Sequence, residues 1–497
     1  MHAESRAFAA DLAIAFGLAL GTVAYLARLP RFLNSDEGYY LYESKRLLDG
    51  KVFYRDLFDL ITPGAHYLMA ASFAVFGTGM ETARITDAAI HGLIVAVTYG
   101  ACRLLGVRRW LAIAAGLAEP ALFQPAWQCS SPHWLASLLG LLVLAALLRP
   151  GAAGSGGAVL PGILTGLLVA VQQQKGVVLA GGVAVLLLVE GALARRWDLI
   201  PRRLAGFVGG VLLVVVPLGA LLLASAGIGP VWRALVIHPL VNYRNFTHTS
   251  WGDPGVFPTP TFPRLLAWVP VLTVAVALRA AGEWQGRRDP DRLQRSAVLA
   301  VVSAVSMASI AYYPDFIHIA FIGPIFAVVF ADLTEAALVC VGAAGARVAA
   351  TALLGALALQ LWRVHARAVA DFPLTWTSAF GRVNFHDARE PAFYQTLQAL
   401  LRTSGTEEVF AYPYGGTVHL LTGAVNPTPY QLIWARYSRP DQLAEAIGIL
   451  ERRAVPWVVV LDQQPVAGDP VVEYVRRHYE QVEDHGAKLP LYRRIAP

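Results

Sequence analysis

The chain has 497 residues, of which 56% are hydrophobic and only 15% are charged, and its mean hydropathy is +0.51. A soluble protein carries about 25% charged residues, so much of the apolar surface of this chain must face lipid. The modest net charge of +6 and the composition argue against a nucleic-acid-binding protein, a disulfide-rich secreted scaffold and a disordered chain. The three cysteines are widely spaced and form neither a disulfide framework nor a zinc-binding pattern.

Long apolar runs predict a polytopic α-helical membrane protein. A helix needs roughly 20 apolar residues to cross a hydrocarbon core about 30 Å thick. About eleven runs meet this requirement; they lie near residues 9–28, 84–106, 110–127, 134–149, 158–174, 176–194, 204–226, 264–281, 297–313, 316–332 and 337–362. The apolar stretch from Pro63 to Gly77 is shorter and predicts an interfacial helix.

The positions of the arginines predict the orientation of these spans. Arginines concentrate in alternate connections, and the positive-inside rule places those connections and the N-terminus in the cytoplasm. They are Arg108, Arg109, Arg195, Arg196, Arg202, Arg203, Arg287, Arg288, Arg292 and Arg295. The first span is then expected to stay in place as a start-transfer helix. Residues 29–83, the loop 227–263 and the C-terminal part are therefore predicted to face outward.

The chain is expected to divide into two parts. Residues 1–362 form a membrane module with its first outer loop at 29–83, and residues 363–497 form an outward-facing α/β domain. Apolar β-rich runs and amphipathic stretches predict the elements of that domain. The predicted strands are Val409–Tyr412 and Val458–Leu461, and the predicted helices are Asp441–Arg453 and Pro470–His478.

The first outer loop holds two adjacent carboxylates, Asp36 and Glu37, a few residues beyond the first span. In one interpretation, Asn34 or Ser35 caps a short helix and the acids complement its positive end. In the other, a carboxylate at the membrane surface accepts a proton from an acceptor hydroxyl, which requires hydrogen-bond reach and a suitable pKa. Both interpretations fit the local sequence.

This loop resembles the first loop of the GT-C glycosyltransferases. The resemblance lies in the acidic pair, the following aromatic run, Gly50, the Tyr54-Arg55-Asp56 sequence and a proline-led apolar helix ending at Phe76-Gly77. Within that superfamily it is most similar to the branch of dolichyl-phosphate-mannose–protein mannosyltransferases and aminoarabinose transferases. The resemblance implies transfer of a sugar, with inversion, from a polyprenyl phosphate to a lipid, glycan or protein acceptor. It also implies that Asp36 is the general base and that Glu37 supports it or binds the acceptor.

Displacement of a polyprenyl phosphate requires cations where negative charge develops. The candidates are Lys175, Arg84 and Arg55. Lys175 lies between two apolar runs, where an ionisable group tends to mark a site, although it could instead extend to the lipid headgroups. Arg84 could pair with Glu81, three residues earlier, and Arg55 could pair with Asp56 or Asp59.

Two further outer turns supply candidate contacts to the acceptor or the donor sugar. His133 lies in the first, and Tyr313, Asp315 and His318 lie in the second, where the three-residue spacing places the aspartate and histidine on one helix face. Each histidine could instead be a satisfied core or interfacial side chain. A metal site of Asp36, His133 and His318 is conceivable, but the resemblance implies an enzyme that needs neither metal nor other cofactor.

The sequence therefore predicts an inverting glycosyltransferase in a bacterial inner membrane. It is expected to be a multi-pass protein with its active site and C-terminal domain facing the periplasm. The alternatives are a secondary transporter or lipid flippase, and a membrane-anchored binding protein whose C-terminal domain carries the function. Transporters place charges at the membrane midplane and build paired broken helices, whereas the charges here concentrate in outer loops.

Overall fold

The computed structural model describes residues 2–497 apart from 153, 155, 194–196, 243–248, 254–267, 287–288, 436, 462–467, 484–488 and 496–497. Helices make up most of the described chain up to residue 371, and a smaller part with helices and strands follows. The helices of the first part are α1 His2–Leu26, α2 Ser35–Leu48, α3 Gly64–Phe76, α4 Met80–Leu104, α5 Arg109–Ala118, α6 Pro132–Leu148, α7 Val159–Val171, α8 Gln173–Leu193, α9 Ile200–Ala226, α10 Ile228–Trp232, α11 Val269–Gln285, α12 Pro290–Ser309, α13 Phe316–Leu338 and α14 Gly342–Asp371.

Six helices of the described chain are long and apolar enough to cross a membrane. They comprise most or all of α1, α4, α8, α9, α13 and α14. The helices α6 and α7 are also apolar but have only 17 and 13 residues. The structure thus supports a multi-pass membrane protein, whereas the count of eleven spans stays a prediction. Phe8 and Phe16 of α1 are 72% and 70% exposed, as expected of side chains that face lipid.

The segment 110–127 was expected to be a regular span, but the structure interrupts it. The helix α5 ends at Ala118, a π-helical turn covers Glu119–Phe123, and a short 3₁₀ turn covers Gln124–Ala126. Pro120 and Pro125 cause the change because a proline lacks the N–H group that continues the α-helical hydrogen-bond pattern. The interruption is followed by residues 127–131, which lead into α6 and its second residue, His133.

The last long helix, α14, extends beyond the predicted end of the membrane module. It was expected to stop near residue 362, but it continues to Asp371. The Arg363–Asp371 stretch contains no residue that breaks a helix. Proline at position 373 restricts Phe372 to non-helical conformations, which explains the observed end.

The C-terminal part contains a two-stranded and a four-stranded sheet. Its elements are β1 Leu374–Ser378, β2 Gly381–Phe385, α15 Arg389–Ser404, β3 Val409–Tyr412, α16 Gly416–Thr422, α17 Pro440–Arg452, β4 Trp457–Val460, α18 Pro470–His478, β5 Tyr479–Glu483 and β6 Leu491–Arg494. The strands β1 and β2 form an antiparallel hairpin that pairs Leu374 with Phe385. The larger sheet has the order β3-β4-β6-β5, with β3 and β4 parallel and the other pairs antiparallel. The two strands and two helices predicted here agree with β3, β4, α17 and α18 to within one residue at each end.

Glycines allow α2 to touch the C-terminal part. A Cβ atom added to Gly38 would lie 2.6 Å from the backbone nitrogen of Thr417, and Gly416 approaches the Gly38 backbone as closely. The Thr417 hydroxyl also donates to the backbone oxygen of Asn34 at 3.0 Å. The start of α2 is therefore held against α16.

Candidate active site

The helix α2 begins at the acidic pair because Asn34 caps it. The Asn34 side chain accepts a hydrogen bond from the Glu37 backbone N–H at 2.7 Å, which satisfies one of the free donors of the first turn. The capping interpretation of this sequence is thus confirmed. Capping does not exclude a functional role of the acids. The Asn34 side chain bonds to the Glu37 backbone and leaves the Asp36 carboxylate free.

The Asp36 carboxylate has no hydrogen-bond or ion-pair partner among the described residues. Its side chain is exposed to solvent, but the surrounding protein removes part of its hydration. This loss of hydration raises the pKa of Asp36 to about 6. An exposed carboxylate with this pKa is mostly ionised at neutral pH and free to accept a proton.

Glu37, in contrast, is completely buried, and both of its carboxylate oxygens are hydrogen-bonded. Both of its carboxylate oxygens accept hydrogen bonds from the Arg84 guanidinium, one of them at 2.8 Å. The Ser130 backbone N–H donates to the same carboxylate at 2.7 Å. The proposed ion pair between Arg84 and Glu81 does not form, since Glu81 pairs with Arg31 instead. Glu37 and Arg84 thus join α2, α4 and the turn before α6.

Four residues that were predicted from three separate segments of the chain lie together in the structure. The ammonium group of the buried Lys175 lies 3.0 Å from Nδ1 of His133. The rings of His133 and His318 are 5.1 Å apart, edge to face. Asp315 caps α13 by accepting from the His318 backbone N–H at 2.8 Å, and its carboxylate also lies 2.7 Å from Nδ1 of that histidine. A carboxylate accepts hydrogen bonds, so Nδ1 of His318 is the donor in this pair.

Two tyrosines lie near these groups. Tyr313 lies against His318, with ring centroids 5.3 Å apart. Burial raises the pKa of Tyr414, and the charge of Asp36 and the nearby Tyr313 raise it further. Tyr414 was not among the residues predicted from the sequence. Its position just after β3 was a usable signal, because ligands often bind beyond the carboxyl ends of parallel strands.

Lys175 is one of the residues that line a groove between the membrane helices. The other lining residues are mainly apolar side chains of α6, α7, α8, α12 and α13. Phe321 forms one wall, and its ring centroid lies 5.5 Å from the Lys175 ammonium group. A buried cation that lines an apolar groove is an arrangement that suits an anionic lipid.

Arg55 does not join the other predicted residues in the described part of the chain. Its guanidinium pairs with the carboxylate of Asp56 at 2.8 Å, and its side chain is 54% exposed. An ion pair with the neighbouring Asp56 was the simpler of the two interpretations of Arg55 that the sequence allowed. A role for Arg55 in phosphate binding stays a prediction without support from a contact.

A second group of buried polar side chains was missed by sequence analysis. Glu43 of α2, Asp59 and His66 of α3 converge within the protein. Burial raises the pKa of Glu43 well above its usual value and that of Asp59 to about 7, and it lowers the pKa of His66 to about 3. The metal site considered from the sequence involved other residues, Asp36, His133 and His318. A histidine near the start of an apolar helix was the one signal that the sequence offered.

The long outer loop 227–263 is described only in part, since residues 243–248 and 254–263 lie outside the described residues. Two of its described residues, Gly252 and Asp253, contact the segment at the start of α13. The Gly252 backbone N–H donates to the Pro314 carbonyl at 2.8 Å, and the Phe316 N–H donates to the Asp253 carbonyl at 3.1 Å. These contacts place part of the loop beside Asp315 and His318.

Comparisons with solved structures show which fold this is. No protein-family model and no curated protein matches the sequence. The structure of ArnT from Cupriavidus metallidurans bound to undecaprenyl phosphate superimposes with a TM-score of 0.60 at 14% identity, covering 98% of both chains. The apo structure of the same ArnT gives a TM-score of 0.56 at 15% identity, covering 99% of both chains.

The oligosaccharyltransferase of Archaeoglobus fulgidus, in complex with Zn and sulfate, is also similar. Its TM-score is 0.52 at 14% identity, and the match covers 90% of this chain and 67% of the oligosaccharyltransferase. The chain therefore shares its fold with ArnT and with this oligosaccharyltransferase, and the resemblance stated from the first outer loop is supported at the level of the fold.

Proposed function

We propose that this protein is an inverting GT-C glycosyltransferase that uses a polyprenyl-phosphate sugar donor. The observation that carries the proposal is the contrast between two charged groups of the fold. The Asp36 carboxylate is exposed and has no partner in the described chain, whereas Lys175 is buried and lines an apolar groove. A carboxylate base facing a cationic phosphate pocket is what this displacement requires.

In the reaction, the hydroxyl oxygen of the acceptor attacks the anomeric carbon of the donor sugar. Its proton passes to the Asp36 carboxylate as the new glycosidic bond forms. The bond between the anomeric carbon and the phosphate oxygen breaks, and its electron pair leaves with the polyprenyl phosphate. Lys175 stabilises the charge that develops on this phosphate, so a separate acid is not needed for the leaving group.

The neighbouring residues hold these two groups in place. Glu37 and Arg84 neutralise each other and fix the first turn of α2, so we assign them a positioning role rather than direct contact with phosphate. Asp315 orients the His318 ring, which packs edge to face against His133, and His133 accepts a hydrogen bond from Lys175. The sugar would bind near Tyr313, which packs against His318, and near Tyr414.

The comparison structures support the donor class. ArnT, which shares the fold over nearly its whole length, was crystallised with undecaprenyl phosphate. An isoprenoid chain would lie in the groove between α6, α8, α12 and α13, with its phosphate at Lys175. The acceptor, a lipid, glycan or protein, would approach from the end of the bundle where α2 meets α16. In a bacterium that end would face the periplasm, because the arginine-rich loops lie at the other end.

The test is a transfer assay with the purified protein and a panel of radiolabelled polyprenyl-phosphate sugars. The wild-type protein is expected to release polyprenyl phosphate with one donor class, and Asp36→Asn is expected to lose activity by about 10²- to 10⁴-fold, the usual contribution of a general base. Asp49→Asn is the matched control. It removes a carboxylate at the other end of the same helix, where Asp49 pairs with Arg46 at the surface.

Retention of full activity by a correctly folded Asp36→Asn protein would contradict the assignment of the base. Transport of the lipid across vesicle membranes without sugar transfer would favour the flippase alternative.

A further inference from the structure

The buried group of Glu43, Asp59 and His66 belongs to neither the acid–base pair nor the phosphate pocket. It joins three segments of the first outer loop, namely α2, the turn after the Tyr54-Arg55-Asp56 sequence, and α3. Glu43 and His66 are completely buried, and Asp59 is 4% exposed. One potential ligand atom from each residue lies within 4.8 Å of the other two.

The distances within this group do not fit direct hydrogen bonds. Nε2 of His66 lies 3.4 Å from Glu43 Oε2 and 3.5 Å from Asp59 Oδ2. A hydrogen bond from a ring nitrogen to a carboxylate is usually about 2.7–2.9 Å long. Ligands at about 2.0–2.1 Å from a tetrahedral zinc ion are, by the geometry of a tetrahedron, about 3.3–3.4 Å apart. The observed separations match the second arrangement.

The buried polar atoms also lack partners in the described part of the structure. Both oxygens of Glu43, Asp59 Oδ2 and both ring nitrogens of His66 accept or donate no hydrogen bond there. Buried polar groups are normally paired, because leaving one unpaired costs free energy. Five unpaired atoms on three converging side chains therefore call for a common partner.

The charge of the group points to a cation as that partner. Two carboxylates meet one histidine, and no lysine or arginine of the described chain forms an ion pair with Glu43 or Asp59. Aromatic rings enclose the histidine instead, since the rings of Tyr40 and Phe53 both lie 4.8 Å from its ring. Metal coordination would neutralise the carboxylates in this apolar surrounding.

We propose that Glu43, Asp59 and His66 bind one divalent transition-metal ion and that this ion is Zn²⁺. An imidazole nitrogen combined with carboxylate oxygens suits zinc, which commonly takes three such ligands and one water molecule. Glu43 and Asp59 both line a small cavity, from which a water molecule would reach the ion. Tyr39 and Tyr437 line this cavity.

The ion would position the base without taking part in the reaction. Asp36 and Glu43 are seven residues apart on α2, which is close to two turns, so they share a face about 10 Å apart along the helix. Tying Glu43 to α3 and to the turn at Asp59 would fix the direction of α2 and hence the place of Asp36. This role is separate from the metal independence that the family resemblance implies for the transfer step.

The test measures metal content in the full-length protein, purified in detergent with an affinity tag that contains no histidine. The protein is stripped with EDTA, incubated with Zn²⁺, desalted, and analysed by mass spectrometry of the metal and by thermal unfolding. Wild-type protein is expected to retain about one zinc ion per chain and to show a higher Tm with zinc. Glu43→Gln and His66→Gln are expected to retain less than about one tenth of an ion and to show no zinc-dependent shift in Tm.

Two controls make the result specific. His386→Gln removes an exposed histidine outside the group and is expected to bind zinc like the wild type. Glu43→Gln keeps the side-chain shape and removes a charge that burial disfavours, so its metal-free form is expected to fold. A folded wild-type protein that retains no zinc, or variants that retain as much as the wild type, would overturn the proposal. Retention of Mn²⁺ in place of Zn²⁺, lost in the same variants, would overturn the choice of ion.

Discussion

Asp36 and Glu37 are adjacent, yet the structure gives their carboxylates opposite environments. Successive residues of an α-helix point about 100° apart, so one side chain of the pair faces α4 while the other faces the open site. Glu37 is buried against Arg84 and the Ser130 backbone, whereas Asp36 is exposed and has no partner in the described chain. This difference divides the pair into a positioning residue and a candidate base.

The raised pKa of Asp36 predicts how the transfer rate depends on pH. The base acts in its ionised form, so kcat/KM should fall as the pH falls through about 6. Between pH 7 and pH 5 the ionised fraction of such a group decreases about tenfold. The residual activity of Asp36→Asn should lack this acid limb. A limb that persists unchanged in the variant, or one centred near pH 4, would contradict the prediction.

Replacement of Lys175 by methionine should weaken donor binding selectively. A hydrogen bond to a charged group contributes about 1.5–3 kcal/mol, which corresponds to an increase of about 10- to 150-fold in the Kd for undecaprenyl phosphate. Lys51→Met, which removes an exposed lysine of the first outer loop, is the matched control. The binding of undecaprenyl phosphate to both variants would be measured in detergent solution. Equal affinities would exclude Lys175 from the phosphate site.

The sequence could predict that several candidate site residues lie close together, because membrane proteins place polar groups at particular positions. Polar residues in short turns between apolar helices must gather at one end of the bundle. For this reason Lys175, His133 and His318 were selected separately and were found together. The pairing of Glu37 with Arg84 required the helix rotation and the helix packing, and neither is encoded in residue spacing.

At the scale of elements, the crossing of α2 and α16 determines where Asp36 lies. The two backbones approach each other at Gly38 and Gly416, where an added Cβ atom would meet backbone atoms. The contact brings the turn that carries Tyr414 next to the first turn of α2. The C-terminal part thus lies directly against the segment that carries Asp36.

Gly38→Ala should therefore damage both stability and activity. The new methyl group would lie 2.9 Å from the Thr417 Cα atom, and overpacking of this kind costs about 1–3 kcal/mol. We expect a lower Tm and a transfer rate reduced more strongly than the loss of folded protein explains. Gly100→Ala in α4, where an added Cβ atom meets no atom within 4 Å, serves as the control. Wild-type behaviour of the Gly38 variant would show that this close contact is not needed.

The positions of helices and strands were predicted well where the sequence signals agreed with one another. The buried strand Val409–Tyr412 and the helix Pro470–His478 agree with the structure because apolar patterning and proline placement both specify them. Hydropathy alone wrongly predicted a continuous span through Pro120, because a hydropathy value does not record that proline lacks a backbone N–H donor. It also failed beyond residue 362, because a helix can continue after its apolar part has ended.

At the scale of the whole molecule, charged groups gather at two ends of the helix bundle. At one end, Asp11 of α1 accepts hydrogen bonds from Arg103 at 3.2 Å and Arg109 at 2.8 Å, and Arg108 pairs with Glu335 at 2.8 Å. The candidate site lies at the opposite ends of α4 and α13. Which of the two ends faces the periplasm stays a prediction from the arginines.

The proposed function would be tested most sharply by a structure of the protein with undecaprenyl phosphate bound, determined by cryo-electron microscopy in a lipid nanodisc. We expect phosphate density within hydrogen-bond distance of Lys175, an isoprenoid chain in the groove beside Phe321, and the Asp36 carboxylate directed toward the phosphate. Phosphate bound elsewhere on the protein, with Asp36 directed away from it, would exclude the proposed roles of both residues.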